Sequence, residues 1–178
     1  MLLPWQRFAL LAAALALPAI AAGTFLNARR RRRAGSLEPV YRHALAETAA
    51  LAGTLPFVAM ILTPTSAEGG VSLVPFADLA ALRFTEPGFA AVQVVGNLLA
   101  FAALGAALPV RFALRAWQVA AIAAAASVSV EVLQFALRLG RITSVDDVLV
   151  NTAGAVAASC LTLPWWRAAG LSTVESRS

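Results

Sequence analysis

Six polar residues lie within or beside long apolar runs: Asn97, Glu131, Gln134, Arg141, Asp147 and Asn151. Glu131 is the most informative of them. An acid inside a membrane-length apolar helix costs roughly 2.5–3.5 kcal/mol at the bilayer centre and less toward either face. Such a residue needs a compensating partner, a proton or a function. Ser127 stands four residues before Glu131 and Gln134 three after, so a helix puts all three on one face. Asp147 and Asn151 are likewise one turn apart on a shared face. Two carboxylates, Glu131 and Asp147, suit acid/base chemistry, and Glu131 alone suits a proton relay. Arg141 suits an anionic head group or a carboxylate. The amides supply donors and acceptors together. No activated nucleophile accompanies these residues. With one cysteine, Cys160, and one histidine, His43, no metal site and no cofactor are expected.

The elements that must carry these residues are membrane helices. The 178 residues are 60% apolar and 13% charged, against about 45–50% and about 25% in soluble domains. Mean hydropathy is +0.78. That balance excludes a water-soluble domain, a disordered chain and a disulfide scaffold. Five runs are nearly free of charge: Phe8–Ala28, Thr48–Ala67, Gly88–Val110, Ala116–Leu137 (broken only by Glu131) and Val148–Trp166. About 20 helical residues cross a hydrocarbon core, and lipid leaves no unpaired backbone outside helices or closed barrels. The expected fold is therefore all-α, a polytopic bundle of five transmembrane helices. The first run resembles a signal peptide at Ala19-Ile20-Ala21, but Arg29–Arg33 directly after it oppose export, which favours an uncleaved span. All 14 basic residues are arginine. With the N-terminus outside, ten arginines fall inside and four outside, so the chain reads as N-out/C-in. Trp5 then falls at the outer face, and Trp117, Trp165 and Trp166 at the inner one. The net charge of +5 comes without aromatic–basic interleaving, so no nucleic-acid partner is expected. The Arg29–Arg33 run reads as a topology anchor against anionic lipid.

This topology brings five of the six, Asn97, Glu131, Gln134, Asp147 and Asn151, to one outer-half layer. Glu131 lies about 10 Å below the outer end of its helix and Asn97 about 12 Å. Asn151 sits one turn inside Asp147, with Arg138 and Arg141 just above. Plainer roles exist for each. Ser144 with Asp147 resembles a capping box, and Asp146 and Asp147 favour a helix N-terminus. Asn97 and Asn151 suit interhelical hydrogen bonding, and Gly96, Gly105 and Gly154 suit close helix packing. Glu131 could pair with Arg138 or Arg141. Cys160 reads as buried and inert. In the loop Thr65–Pro87, residues Phe76–Phe84 could form a short interfacial helix.

The ordered set Glu131-x-x-Gln134, Arg141, then Asp147-x-x-x-Asn151-x-x-Gly154 resembles the signature of the VanZ-like membrane protein family. Asn97-x-x-x-Phe101-x-x-x-Gly105 and Leu73-x-Pro75-Phe76 resemble its upstream elements. Ala103 and Ala158 depart from it, where the family commonly has Pro and a second Gly. The resemblance covers about Leu73–Ala158. It implies a bacterial cell-membrane protein with a cell-envelope role; the name-giving member is linked to low-level teicoplanin resistance. It divides the chain into an N-terminal span with its arginine-rich segment (1–45), a VanZ-like four-helix membrane domain (46–166) and a cytoplasmic tail (167–178). Four functions compete. A non-enzymatic pocket of Asn97, Glu131, Gln134, Arg141, Asp147 and Asn151 would recognise membrane lipid, a lipid-linked envelope component or a lipoglycopeptide. Alternatively, Glu131 and Asp147 would serve an intramembrane hydrolase or transferase. A small proton-coupled transporter and a purely structural assembly partner complete the set. The non-enzymatic reading is favoured, and the oligomeric state stays open.

Overall fold

In the computed structural model the described residues are 22–33, 40–112 and 114–175. Trp5, Arg7 and most of the Phe8–Ala28 run lie outside them. Side chains from residue 163 onward, Trp165 and Trp166 included, lie outside them too.

Residues 22–33 form helix α1. Helix α2 is Val40–Ile61. It stops within the apolar run Thr48–Ala67 because Pro64 disfavours helical backbone at the residue before it. A short strand β1, Gly70–Ser72, precedes helix α3, Ala77–Ala81, and a single 3₁₀ turn, Leu82–Phe84. Helix α4, Pro87–Ala100, opens with proline in its first turn, where a missing N–H costs nothing. The Glu86 side chain caps it, accepting from the Phe89 N–H at 2.9 Å. Bonds from the Gly88 and Phe89 N–H groups hold this exposed carboxyl below its ordinary range. The run expected as one helix, Gly88–Val110, breaks at Phe101 (φ −112°, ψ 3°) and resumes as α5, Ala102–Phe112. Helix α6 is Ala116–Ala136, β2 is Ile142–Ser144, and α7 is Val145–Glu175.

Among the described residues, three helical stretches are long and apolar enough to cross a membrane: His43–Ile61, Pro87–Phe112 and Ala116–Ala136. The chain is thus built as a membrane protein. Consecutive long helices alternate in direction. Gln134, near the end of α6, bonds the Ile61 carbonyl at the end of α2. Arg111, at the end of α5, bonds Glu47 near the start of α2. The bundle therefore has a Glu47 end and a Glu131 end.

One departure from an all-α fold occurs at the Glu131 end. β1 and β2 pair in parallel, Gly70 with Ile142 through Ser72 with Ser144. Gly140 (φ 68°) allows this approach. A Cβ there would stand 2.5 Å from the Thr65 carbonyl oxygen and 2.6 Å from that of Ala67.

The core is mostly alanine, packed about Phe101 and Val119. Ala100, Phe101, Val119, Ala123 and Ala155 are buried together, with Phe57, Val58 and Leu104 packed around them. Apolar tails solvate apolar side chains as well as other helices do, so close backbone approach supplies much of the cohesion. A Cβ on Gly105 would come within 2.1 Å of the Ala155 carbonyl oxygen, and one on Gly154 within 2.0 Å of that of Leu98. These two glycines fasten α7 to α5 and α4. Gly96 does not share that role, since a Cβ there would meet nothing within 4 Å. Cys160 is likewise exposed on α7, not buried, because it lies on the side of the helix away from these contacts.

Candidate functional site

The Glu131 end is organised by the start of α7. Ser144 precedes its first turn, and its hydroxyl accepts from the Asp146 N–H at 3.1 Å, a helix N-cap. The same hydroxyl donates to Asp78 Oδ2. The Ser144 N–H donates to Glu131 Oε2 at 3.0 Å. One serine thus links α3, α6 and α7. Glu131 is only 5% exposed, facing the bundle interior. The Thr143 hydroxyl donates to its backbone carbonyl at 3.4 Å.

Asp147 does not turn back to complete a capping box; its Oδ1 accepts from Asn97 Nδ2 across to α4. One turn deeper, Asn151 Nδ2 donates to Ser127 Oγ on α6 at 2.9 Å. The expected face of Ser127, Glu131 and Gln134 is buried throughout. Gln134 Nε2 donates to the Ile61 carbonyl at 2.9 Å.

Arg141 joins neither carboxylate as an ion pair. Its Nε donates to the Thr63 carbonyl at 3.2 Å and its Nη2 to that of Met60 at 3.3 Å. With Gln134 it gathers on carbonyls at and just past the end of α2, where a helix terminus carries partial negative charge; that of Met60 also accepts from the Thr63 N–H at 3.2 Å. Arg138 holds a left-handed backbone (φ 51°) at the end of α6 and is exposed.

Asn97, Glu131, Asp147 and Asn151 therefore come from three helices into one polar layer, with Gln134 and Arg141 turned toward α2. Two acceptors at this end, Asn151 Oδ1 in the layer and Gln134 Oε1 beside α2, are buried without a protein partner. Among the described residues no group of three His, Cys, Asp or Glu side chains is placed to hold a metal ion.

Three acids carry roles that the sequence reading missed. Asp146, 2% exposed, caps α3 from another part of the chain. Its Oδ1 accepts from the Phe76 N–H at 2.5 Å, and its Oδ2 from those of Asp78 and Leu79 at 2.9 and 3.0 Å. Phe76, at the cap position, has no acceptor of its own and is held left-handed (φ 64°). Asp78, two residues past the Leu73-x-Pro75-Phe76 element, was the available signal for its own part. Glu47 gathers the opposite end. It accepts from Asn27 Nδ2 at 2.8 Å, from Arg31 Nη2, and from Arg111 Nε at 2.7 Å.

No curated protein and no solved structure matches the chain. A family match does exist, and it covers residues 47–167, from Glu47 through the Asn97, Glu131 and Asp147 elements to α7. On that match, which spans more than half of its length, the chain belongs to the VanZ/LLP1 family.

Proposed function

We propose that this chain is a cell-envelope protein of the bacterial cytoplasmic membrane, crossing it five times with the N-terminus outside. The Glu131 end then faces the exterior, and its polar layer recognises a polar group carried on a lipid or on a lipoglycopeptide of the teicoplanin type. The reading carries over to domains 1–45, 46–166 and 167–178. It is a binding function without a catalytic step.

The supporting observation is the pair of unpartnered acceptors, Gln134 Oε1 and Asn151 Oδ1, at the end that also holds Glu131 and Asp147. Buried amide oxygens without donors cost about 1–3 kcal/mol each. A ligand supplying N–H or O–H groups removes that cost, and sugars and peptides supply many. The ten-to-four arginine asymmetry supports the outward orientation.

The test is the susceptibility of a deletion strain complemented with wild type, Glu131→Gln or Asn151→Ala. Wild type raises tolerance to teicoplanin or another envelope-active compound, and both variants lose that effect at equal abundance in the membrane. Unchanged tolerance to every envelope-active compound overturns the reading.

A further inference from the structure

At the Glu47 end a groove of about 360 Å³ runs between α2 and α5. Its walls are apolar: Ala46, Ala50 and Leu51 on α2, and Leu104, Ala107 and Leu108 on α5. It follows the helices. From Arg111 to Leu104 is seven residues, about 10 Å of helical rise. One end lies deep among leucines; the other opens beside Glu47, Arg111 and Phe112.

The open end has the character of a bilayer interface. Phe112 in its lining is 60% exposed and Trp117, at the same end of the bundle, 65%, and aromatic rings settle at head-group depth. Glu47 is paired there with both Arg31 and Arg111. Arg111 uses Nε on Glu47. Among the described residues its two Nη groups, with four N–H donors, have no acceptor. Pairing with Glu47 fixes the fork, and a fixed guanidinium matches phosphate oxygens in geometry as well as charge.

We propose that this groove holds one acyl chain of an anionic phospholipid, with the lipid phosphate on the Nη groups of Arg111. The apolar walls run in the direction a lipid tail takes from the head-group region. The Arg111 Nη groups at the mouth select an anionic head group over a zwitterionic one. The site stands at the opposite end of the bundle from Glu131 and does not depend on what binds there.

The test uses the full chain purified in mild detergent and mixed with palmitoyl-oleoyl phosphatidylglycerol or phosphatidylcholine. Native mass spectrometry counts the lipids retained. Phosphatidylglycerol is retained about fivefold more, the effect of one arginine at a head group. Arg111→Gln brings the two lipids to parity. Leu51→Trp, on an exposed wall position and away from the ion pairs, blocks the groove and removes the tightly held lipid. Arg29→Gln/Arg33→Gln leaves the preference intact. Equal retention of both lipids by wild type overturns the proposal. So does a preference that survives Leu51→Trp, or one that disappears with Arg29 and Arg33. A photocrosslinker at residue 51 labels added phosphatidylglycerol; a crosslink only into another part of the chain overturns the proposal as well.

Discussion

Glu47 meets one asparagine and two arginines at its end of the bundle. At the other end Asp78, Glu131, Asp146 and Asp147 face backbone N–H groups, a serine and an asparagine, with Arg141 spent on carbonyls. The first end neutralises charge with charge, carried on long side chains that reach a carboxylate from several backbone positions. The second uses fixed dipoles. A backbone N–H points in one direction only, so the two carboxylates that accept from backbone also set a register: Glu131 places β2 against α6, and Asp146 places α3 against α7. The same residue type serves as a charge at one end and as a template at the other.

Substitutions should separate the two modes. Gly140→Ala has the largest expected effect. It needs a left-handed alanine and drives a Cβ into two carbonyls, so thermal unfolding in detergent should show a loss of about 3 kcal/mol. Unchanged stability would mean that the β1–β2 junction does not hold its end together. Asp146→Ala comes next, at about 2 kcal/mol. Its signature is local: the Phe76, Asp78 and Leu79 amides exchange hydrogen faster while those of α6 do not. Uniform acceleration would reduce Asp146 to a general stabiliser.

Glu47→Gln has a smaller effect, about 1 kcal/mol, because its pairs are partly exposed. Salt sharpens the contrast. At molar salt the screening length falls to about 3 Å. The difference between wild type and Glu47→Gln then shrinks, while that between wild type and Asp146→Ala persists. Equal salt sensitivity at both ends would break the distinction. The smallest effect is that of Glu86→Ala on α4. The Glu86 carboxyl is held below its ordinary 4.5, so its contribution is full above that pH and fades as pH falls below it. A melting difference that grows toward acid pH would contradict this cap.

Much of the bundle was legible in the sequence because membrane helices announce themselves by uncharged length. The runs at Gly88–Val110 and Ala116–Leu137 needed no partner to be recognised, and Ser144 as a cap was a local reading. The parts that escaped are long-range. β1 and β2 are three residues each, too short for a periodicity, and their pairing joins segments about seventy residues apart. Asp146 looks like an ordinary first-turn acid until α3 is placed against it. Glu47 was passed over as the charge that bounds an uncharged run, because nothing local shows that Arg31 and Arg111 converge on it. Arg141 was matched by charge to carboxylates when carbonyls at a helix end were nearer.

Where other VanZ-like sequences commonly carry proline, this chain has Ala103, and the break at Phe101 explains why so little turns on it. Residue 103 falls in the opening turn of α5, a position where a ring without an N–H fits. Phe101 sits in the core with Ala155, and the Gly105 N–H donates to its carbonyl at 2.9 Å. The elbow thus occurs here at a buried side chain and without a pyrrolidine. Ala103 also abuts Gly53 of α2, where an added Cβ would stand 2.4 Å from its own, so Ala103→Pro should stiffen the joint at the expense of helical backbone at Ala102.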